Sequence, residues 1–439
     1  RCSDTECAHC FPPGCRGRTV SLKNSLHLET TVSTYGTVDR RQFLAAAGTA
    51  GVGAIAGCSN DNGTTVGNAG DDGEGPITIG AIQPLSGNFS VWGRVHASGL
   101  AFAVDEINAE GGVLDGRELD VVEADSGSDP AEAASIFERF AEQDEVVAAT
   151  GPVSSDVGIR TARTAEELGI PMYMHLSGSS DTITPETRHA FRVGLLPAEP
   201  TMRAQAALAE ARGYESISAI VADYAWGRSV RSAIEEVFGV DVDIQVAPVS
   251  ESDFSTYVRQ VPDDVEMMVT SGHPPGVLTI TRQLYELGYD PDVVTGSSWP
   301  PDVVRSTLGA DSERGFTHVH LADPYSDEFA EVAERYAQAV GAQFNTHTAH
   351  GYVTGKLVAQ AIENAGEADP EAITEATRAI EFDTLFANPI QYADSGELTN
   401  QIQVYSTVTG DPPSYYPEGD YGYSEVFRTD PLPAIPADA

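Results

Sequence analysis

Two hydrophobic periods alternate along the chain after residue 76. Short apolar runs such as "ITIGAIQ" and "VVAAT" are typical of buried strands, whereas the segments between them place apolar residues at helical spacing. One helical segment carries its apolar side chains at i, i+3, i+4, i+7 and i+10, namely Ala97, Leu100, Ala101, Val104 and Ile107. Strands and helices that alternate in this way predict a parallel sheet covered by helices.

Capping residues mark where several of these elements begin. Asp129 is predicted to cap a helix whose first position is Pro130, and Glu132 follows in the first turn of that helix. We expect a strand over residues 118–124 and a helix over residues 156–168. Local sequence therefore predicts the element boundaries in the first half of the chain.

The second half repeats the same alternation. A strand is expected over residues 216–223, followed by a helix from Ser229. The repetition predicts an α/β protein with two doubly wound units of about 120 residues each rather than one large sheet. The C-terminal segment 410–439 is rich in Pro, Tyr and Asp, and we expect it to be mostly irregular.

An apolar segment near the N-terminus has the features of an export signal. Residues 43–57 form a 15-residue apolar run, which is shorter than the roughly 20 residues that a membrane-spanning helix needs. Arg40 and Arg41 precede this run and resemble a twin-arginine export signal, and the "IAGC" that ends it resembles a lipoprotein box. We interpret residues 38–58 as a signal peptide with Cys58 as the lipidation site.

The segments on either side of this signal are interpreted from their composition. Residues 59–75 are rich in Gly, Asn and Asp without hydrophobic periodicity, as expected of a flexible tether. Residues 1–37 contain four cysteines and a histidine that are compatible with a small zinc site: Cys2, Cys7, Cys10, Cys15 and His9. Because a signal peptide lies near a true start and Val38 fits an alternative start codon, we expect residues 1–37 to be a leader or a start-site artefact instead.

The charge of the chain narrows the range of partners. Acidic residues number 66 against 25 basic ones, so the formal net charge is −41, and the only lysines are Lys23 and Lys356. Such acidity argues against a nucleic-acid partner, because like charges repel a phosphate backbone. The acidic residues are dispersed, and the surface resembles those of extreme halophiles such as haloarchaea, in which concentrated salt screens self-repulsion.

Motifs of the common enzyme classes are missing from the sequence. No strand is followed by G-x-G-x-x-G or by G-x-x-x-x-G-K-[ST], and there is no G-x-S-x-G elbow. His347 and His350 lie at i, i+3 without a nearby carboxylate at ligand spacing, and His318 and His320 share one face of a strand. We expect all four histidines to pack in the interior or on a helix surface. We predict no metal site, no cofactor and no enzymatic activity.

Six segments in order resemble the branched-chain amino acid type of ABC-transporter substrate-binding proteins. They are "ITIGAIQPLSG", "FAVDEINAEGGVLDGRELDVVEAD", "SDPAEA", "GPVSSD", "AEELGIPMY" and "HAFRVGLLPAEP". The resemblance implies a type I periplasmic-binding-protein fold, in which two α/β lobes joined by three crossovers close on the ligand. It implies an extracytoplasmic protein that binds a small polar solute and delivers it to permease subunits in the membrane. A ligand-sensing receptor with the same fold is the alternative.

This family fold also implies how the chain divides into lobes. The first lobe is expected to contain residues 76–196 and 323–397. The second lobe is expected to contain residues 197–322 and 398–428, with residues 429–439 as a tail.

The resemblance also implies which residues contact the ligand. The loops that follow the strands are rich in Gly and hydroxyl groups, which suits a carboxylate or amide head group, and their aromatic residues suit an apolar body. By analogy with the family, the ligand-binding residues are Trp92, Ser154, Ser155, Ser177, Gly178, Ser179, Tyr224, Trp226, His273 and Ser298.

One departure from the family pattern concerns the ligand's charge. Amino acid binders of this family place an acid where this sequence has Ser298 and Trp299. A buried ammonium without a carboxylate partner is costly, so the departure favours an amide, a urea-like compound or another small carboxylate over an amino acid. Asp223 or Glu199 could replace the missing acid.

Overall fold

A computed structural model describes residues 75–271, 276–296 and 298–432. All of these residues belong to one compact unit. They form two parallel sheets, a smaller antiparallel sheet and a short hairpin, with helices between the strands. His273, Cys58 and the whole segment 1–74 lie outside the described residues.

The first sheet contains five parallel strands in the order β2–β1–β3–β4–β5. The strands are β1 (Ile77–Gln83), β2 (Leu119–Asp125), β3 (Ala148–Thr150), β4 (Met172–Met174) and β5 (Ala190–Arg192). The chain winds outward from β1 in both directions, since β2 pairs with one of its edges and β3 with the other. Strands β3, β4 and β5 are buried throughout, as expected of parallel strands covered on both faces.

The second sheet repeats this topology with four parallel strands in the order β7–β6–β8–β9. The strands are β6 (Ile217–Asp223), β7 (Val242–Pro248), β8 (Met267–Thr270) and β9 (Val293–Thr295). The sequence-based prediction of two doubly wound parallel sheets is therefore confirmed.

Three antiparallel strands form a separate sheet in the order β10–β13–β14. The remaining strands are β10 (Thr317–His320), β11 (Glu381–Phe382), β12 (Ile390–Gln391), β13 (Val404–Thr409) and β14 (Gly422–Arg428), of which β11 and β12 form the hairpin. Strand β14 lies in the segment that was expected to be mostly irregular, so that expectation is wrong for its seven residues. Pairing with β13, with Tyr405 opposite Phe427, supplies the order that the local composition does not indicate.

Eleven α-helices occur in the described part of the chain. They are α1 (Ser90–Ala109), α2 (Pro130–Gln143), α3 (Ser155–Leu168), α4 (Ala198–Arg212), α5 (Ala225–Val237), α6 (Ser255–Val258), α7 (Gly276–Glu286), α8 (Pro301–Leu308), α9 (Asp327–Val340), α10 (Thr346–Ala365) and α11 (Pro370–Arg378). A 3₁₀ helix follows α8 at Gly309–Glu313. None of the described helices combines the length and apolar character that crossing a membrane requires.

The predicted start of α2 is confirmed at atomic detail. Asp129 Oδ1 accepts hydrogen bonds from the backbone N–H groups of Ala131 and Glu132, at 2.9 and 2.8 Å. Helix α5, in contrast, begins at Ala225 rather than at the expected Ser229. Its first turn is apolar and buried, and this packing stabilises helical residues that lack a side-chain cap.

Helices α1 and α10 cross in very close contact at two glycines. A Cβ atom at Gly99 would overlap the carbonyl oxygen of Thr348, and one at Gly351 would overlap the carbonyl oxygen of His96. Each helix therefore presents a glycine to the backbone of the other.

Candidate functional site

Several loops at the carboxyl ends of the parallel strands carry the predicted ligand-binding residues. Helix α1 begins shortly after β1, α3 shortly after β3, and α5 directly after β6 and Tyr224. Ligands of open parallel sheets bind at this edge, because strand ends and helix N-termini present backbone N–H groups there. The topology thus gathers these loops on the edge where a small solute is expected to bind.

A small cavity lies between these loops. It is lined by Phe89, Trp92, Val153, Ser155, Leu176, Leu195, Tyr224 and Trp226. Four of the predicted residues, Trp92, Ser155, Tyr224 and Trp226, therefore share one cavity. Its walls are aromatic and aliphatic except for the Ser155 hydroxyl and the Tyr224 phenol.

The cavity has a volume of about 20 Å³. That space holds about one water molecule, whereas pockets for small ligands enclose roughly 300–1,000 Å³. The described conformation is thus closed on its own side chains. A solute can enter only if the two sides of the cavity separate or the indole rings move.

The indole of Trp226 closes one side of the cavity against Gly178. A Cβ atom at Gly178 would overlap Trp226 Cζ3 and lie 2.8 Å from Leu195 Cδ2. Gly178 does not itself line the cavity, but only a residue without a side chain allows Trp226 to pack in this position. The structure therefore brings Gly178 and Trp226 together.

The two serine loops bind each other through a short chain of hydrogen bonds. Ser177 Oγ donates to the carbonyl oxygen of Ser154 at 3.1 Å, and the backbone N–H of Ser179 donates to Ser155 Oγ at 3.1 Å. The hydroxyl groups of Ser179 and Ser229 lie 3.1 Å apart, which links this chain to helix α5. Ser154, Ser177 and Ser179 are buried behind the cavity wall, and of the four predicted serines of these loops only Ser155 faces the cavity.

A buried ion pair that the sequence analysis missed supports the loop after β4. Arg192 is fully buried, and its Nε and Nη2 atoms donate to Glu397 Oε2 and Oε1 at 2.6 and 2.8 Å. The same guanidinium donates to the carbonyl oxygens of Ser177 and Ser179. The available sequence signal is an arginine inside the apolar run "AFRVG", which is unusual for a strand buried on both faces.

The indole N–H of Trp92 donates a hydrogen bond to a backbone carbonyl group rather than to an acid. Its Nε1–H donates to the carbonyl oxygen of Ser298 at 2.9 Å, and the ring centroids of Trp92 and Trp299 lie 4.4 Å apart. Ser298 therefore acts through its backbone, and Trp299 packs against Trp92 instead of contacting the cavity. The same carbonyl oxygen also lies 3.0 Å from His347 Nε2.

Neither of the two acids considered as replacements for the missing carboxylate lines the cavity. Asp223 is exposed and accepts a hydrogen bond from Arg228 at 3.3 Å. Glu199 pairs with Arg203 one turn further along helix α4. Both carboxylates are thus engaged with arginines outside the cavity.

A different acid, Asp156, is exposed and does not line the cavity, but its charge acts on Tyr224 of the cavity wall. Burial raises the pKa of the Tyr224 phenol well above its ordinary value, and the negative charge of Asp156 raises that pKa further. Tyr224 is thus protonated and neutral at physiological pH. Asp156 lies in the first turn of α3, directly after Ser155, and it was not recognised from the sequence as a candidate partner for a positively charged ligand group.

Four apolar lining residues were also not predicted from the sequence. Phe89 directly precedes α1, Val153 and Leu176 lie in the two serine loops, and Leu195 follows β5. Apolar residues in loops are common, so local sequence offers little to distinguish these four. Their position next to the predicted aromatic and serine residues was the available signal.

Comparison with known proteins places this architecture in a family. The family model described as periplasmic binding protein matches residues 76–411 of the chain. The Leu/Ile/Val-binding protein BraC3 of Rhizobium johnstonii is 25% identical over 339 residues, which cover 74% of this chain and 89% of that protein. The match thus includes most of the described residues of this chain.

Solved structures show the same fold. The leucine-binding protein LivK of Thermotoga maritima superposes with a TM-score of 0.68 at 22% identity, covering 81% of this chain and 99% of that one. A solute-binding protein of an ABC transporter from R. palustris, solved in complex with benzoate, gives a TM-score of 0.69 at 18% identity and covers 83% of this chain and 99% of that one. These similarities confirm the type I periplasmic-binding-protein fold that the sequence predicts.

Proposed function

The chain belongs to the periplasmic binding protein family, whose members bind solutes and are not enzymes, and from this premise we propose that it is the substrate-binding protein of an ABC importer. In this role it captures a small solute outside the cytoplasm and delivers it to permease subunits. The observation that carries the proposal is the shared cavity, because Trp92 and Ser155 follow strands of the first sheet while Tyr224 and Trp226 follow a strand of the second.

Capture is proposed to occur by closure between two lobes. We assign residues 76–196 and 323–397 to the first lobe and residues 197–322 and 398–428 to the second. The cavity of about 20 Å³ corresponds to a closed arrangement, and a hinge motion that separates the lobes would create room for a solute. The solute then replaces contacts such as that between Trp226 and Gly178.

The lining residues favour a small solute with one polar end and an apolar body. Ser155 lies at the N-terminus of α3, where its hydroxyl and the first backbone N–H groups suit a carboxylate or an amide oxygen. Trp92 and Trp226 provide aromatic surface for the apolar body. An amino group, if the solute has one, would lie towards Asp156. We propose a branched-chain or other amino acid, or a small carboxylate, amide or urea-like compound.

The other predicted residues have supporting roles in this proposal. Ser154, Ser177 and Ser179 position the Ser155 hydroxyl through their mutual hydrogen bonds, and the Ser298 carbonyl positions Trp92. His273 is proposed as a further contact on the side of the second sheet.

Replacing Trp226 with alanine is expected to weaken solute binding about tenfold or more, because the indole supplies much of the apolar surface of the cavity. The full chain is titrated with leucine, isoleucine, valine, benzoate, acetamide and urea. Binding is measured by calorimetry and by thermal shift. Concentrated NaCl is used, since the net charge of −41 suggests a protein adapted to high salt.

Two further variants serve as controls for this experiment. Trp226→Phe keeps an aromatic ring and is expected to retain most of the affinity, whereas Tyr325→Ala removes an exposed aromatic side chain outside the cavity and is expected to leave affinity unchanged. Equal affinities of wild type and Trp226→Ala would contradict the assignment of Trp226. If none of the six solutes bound to the wild type, the proposed ligand class would be wrong.

We also propose that the protein is exported by the twin-arginine route and anchored on the outer side of the cytoplasmic membrane through lipid on Cys58. The support comes from the sequence: two arginines, a short apolar segment, a lipoprotein box and a polar tether follow one another over residues 38–75. Two acyl chains are needed for stable anchoring, since one chain binds a membrane only marginally.

Replacing Cys58 with serine is expected to move the protein from the membrane fraction to the soluble exported fraction, because the lipid attachment site is lost. Replacing Arg40 and Arg41 with lysines is expected instead to retain the precursor inside the cell. Cell fractionation with immunoblotting distinguishes these results. Membrane association that persists in Cys58→Ser would contradict the anchor at this residue.

A further inference from the structure

Three histidines from two distant parts of the sequence converge in the interior, next to the cavity wall. His175 follows strand β4, and His347 and His350 lie in the first two turns of helix α10. One ring nitrogen of each lies within 4.8 Å of the corresponding nitrogens of the other two, and all three side chains are buried. These three residues are called the histidine triad below.

The ring nitrogens of the triad are largely without hydrogen-bond partners among the described residues. Both nitrogens of His175, both of His350 and Nδ1 of His347 lack a partner. Leaving a buried polar atom without a partner costs about 1–3 kcal/mol, so five such atoms at one place require an explanation. Ordinary core packing does not supply one, because apolar residues fill such space without this cost.

A hydrogen bond from His347 to a backbone carbonyl group sets the tautomer of its imidazole. His347 Nε2 lies 3.0 Å from the carbonyl oxygen of Ser298, which can only accept, so Nε2 carries the proton. The lone pair of His347 is therefore on Nδ1, the nitrogen without a partner. A metal-binding histidine typically donates its other N–H to a carbonyl or carboxylate oxygen in this way.

We propose that His175, His347 and His350 together bind one divalent transition-metal ion, with zinc as the ion that best suits them. Three imidazole ligands with a fourth position for water are an established zinc arrangement, with Zn–N distances of about 2.0–2.1 Å. Tetrahedral coordination at that distance separates the nitrogens by about 3.3 Å, so the rings move slightly closer than their present spacing of up to 4.8 Å.

The metal would be linked to the candidate solute site. The carbonyl oxygen of Ser298 lies within hydrogen-bond distance of both His347 Nε2 and Trp92 Nε1, and Trp92 lines the cavity. His175 is directly followed by Leu176, which also lines the cavity. A metal ion that fixes His175 and His347 therefore steadies one wall of the cavity.

The test uses the full chain, stripped of metal with a chelator and then dialysed against Zn²⁺ or Co²⁺. We expect about one zinc per chain and the visible absorption of tetrahedral Co²⁺ with nitrogen ligands. His175→Gln and His350→Gln are expected to weaken metal binding at least tenfold. His189→Gln is the matched control, because His189 is also mostly buried but has Glu166 and Glu371 as hydrogen-bond partners.

A second type of variant tests the proposal even if the glutamine variants fail to fold. His350→Cys is expected to add a thiolate-to-cobalt charge-transfer band to the Co²⁺ spectrum, a gain of signal that only a residue in the coordination sphere produces. The proposal is overturned if the wild type binds neither ion, or if binding is unchanged in His175→Gln and His350→Gln. It is also overturned if the wild type binds a single Co²⁺ ion that already shows the thiolate band, because that ion would lie on cysteines and not on the triad.

Discussion

Replacing Glu397 with glutamine is expected to lower the free energy of unfolding by about 3–5 kcal/mol. The substitution leaves the guanidinium of Arg192 fully buried without a negative partner. A buried charge that has lost its counter-ion is far more costly than a surface charge, because no water replaces the lost interaction. Chemical denaturation monitored by circular dichroism measures the change.

The consequence for solute binding follows from the other contacts of Arg192. Its guanidinium also donates to the carbonyl oxygens of Ser177 and Ser179, and the N–H of Ser179 in turn donates to Ser155 Oγ. Loss of the Glu397 charge is thus expected to loosen the serine loop as well as to destabilise the fold. Faster hydrogen exchange over this loop in Glu397→Gln would record that effect.

Glu235→Gln is the matched control for this prediction. Glu235 pairs with Arg231 at 3.0 Å one helical turn away, but more than half of each side chain is exposed. Solvent screens such a pair, so its loss is expected to cost less than about 1 kcal/mol. If both variants were equally stable, the Arg192–Glu397 pair would not stabilise the protein in the way described.

Replacing Gly99 with alanine is expected to cost about 3 kcal/mol, even though alanine favours a helix by about 1 kcal/mol over glycine. The new methyl group would overlap the carbonyl oxygen of Thr348, so helices α1 and α10 would have to separate. Backbone cannot rotate away as a long side chain can. The stability of the variant is measured by thermal and chemical denaturation.

Gly239→Ala provides the comparison for this helix contact. A Cβ atom at Gly239 would meet no atom within 4 Å, so the substitution is expected to be neutral or slightly stabilising. Gly351→Ala should reproduce the loss seen in Gly99→Ala, since its methyl group would overlap the carbonyl oxygen of His96. A Gly99→Ala protein as stable as Gly239→Ala would show that the two helices tolerate separation.

Local sequence was sufficient for much of the fold. The alternation of apolar runs and helical spacing predicts both parallel sheets, and the cap at Asp129 fixes the start of α2, because these features depend on residues within a few positions of one another. The segment with β14 shows the limit of such reasoning. Its strand exists through pairing with β13, a partner that local composition does not reveal.

The candidate site was likewise predicted only in part from the sequence. The positions of Trp92, Ser155, Tyr224 and Trp226 after strands and at helix starts, together with the family resemblance, were enough to predict four residues of one cavity. The effect of the Asp156 charge on the pKa of Tyr224 could not be predicted, since it depends on how two loops from different sheets meet.

The amino-acid sequence by itself determined the class of fold and the family, and it predicted the edge of the sheets where a solute would bind, because periodicity, caps and motif order are local properties of the chain. Only the tertiary structure decided which distant residues meet. Arg192 meets Glu397 across 205 residues of sequence, and His175 converges with His347 and His350. Such contacts arise from the packing of whole elements, where burial removes water and makes each charge or unpaired nitrogen costly enough to require a specific partner.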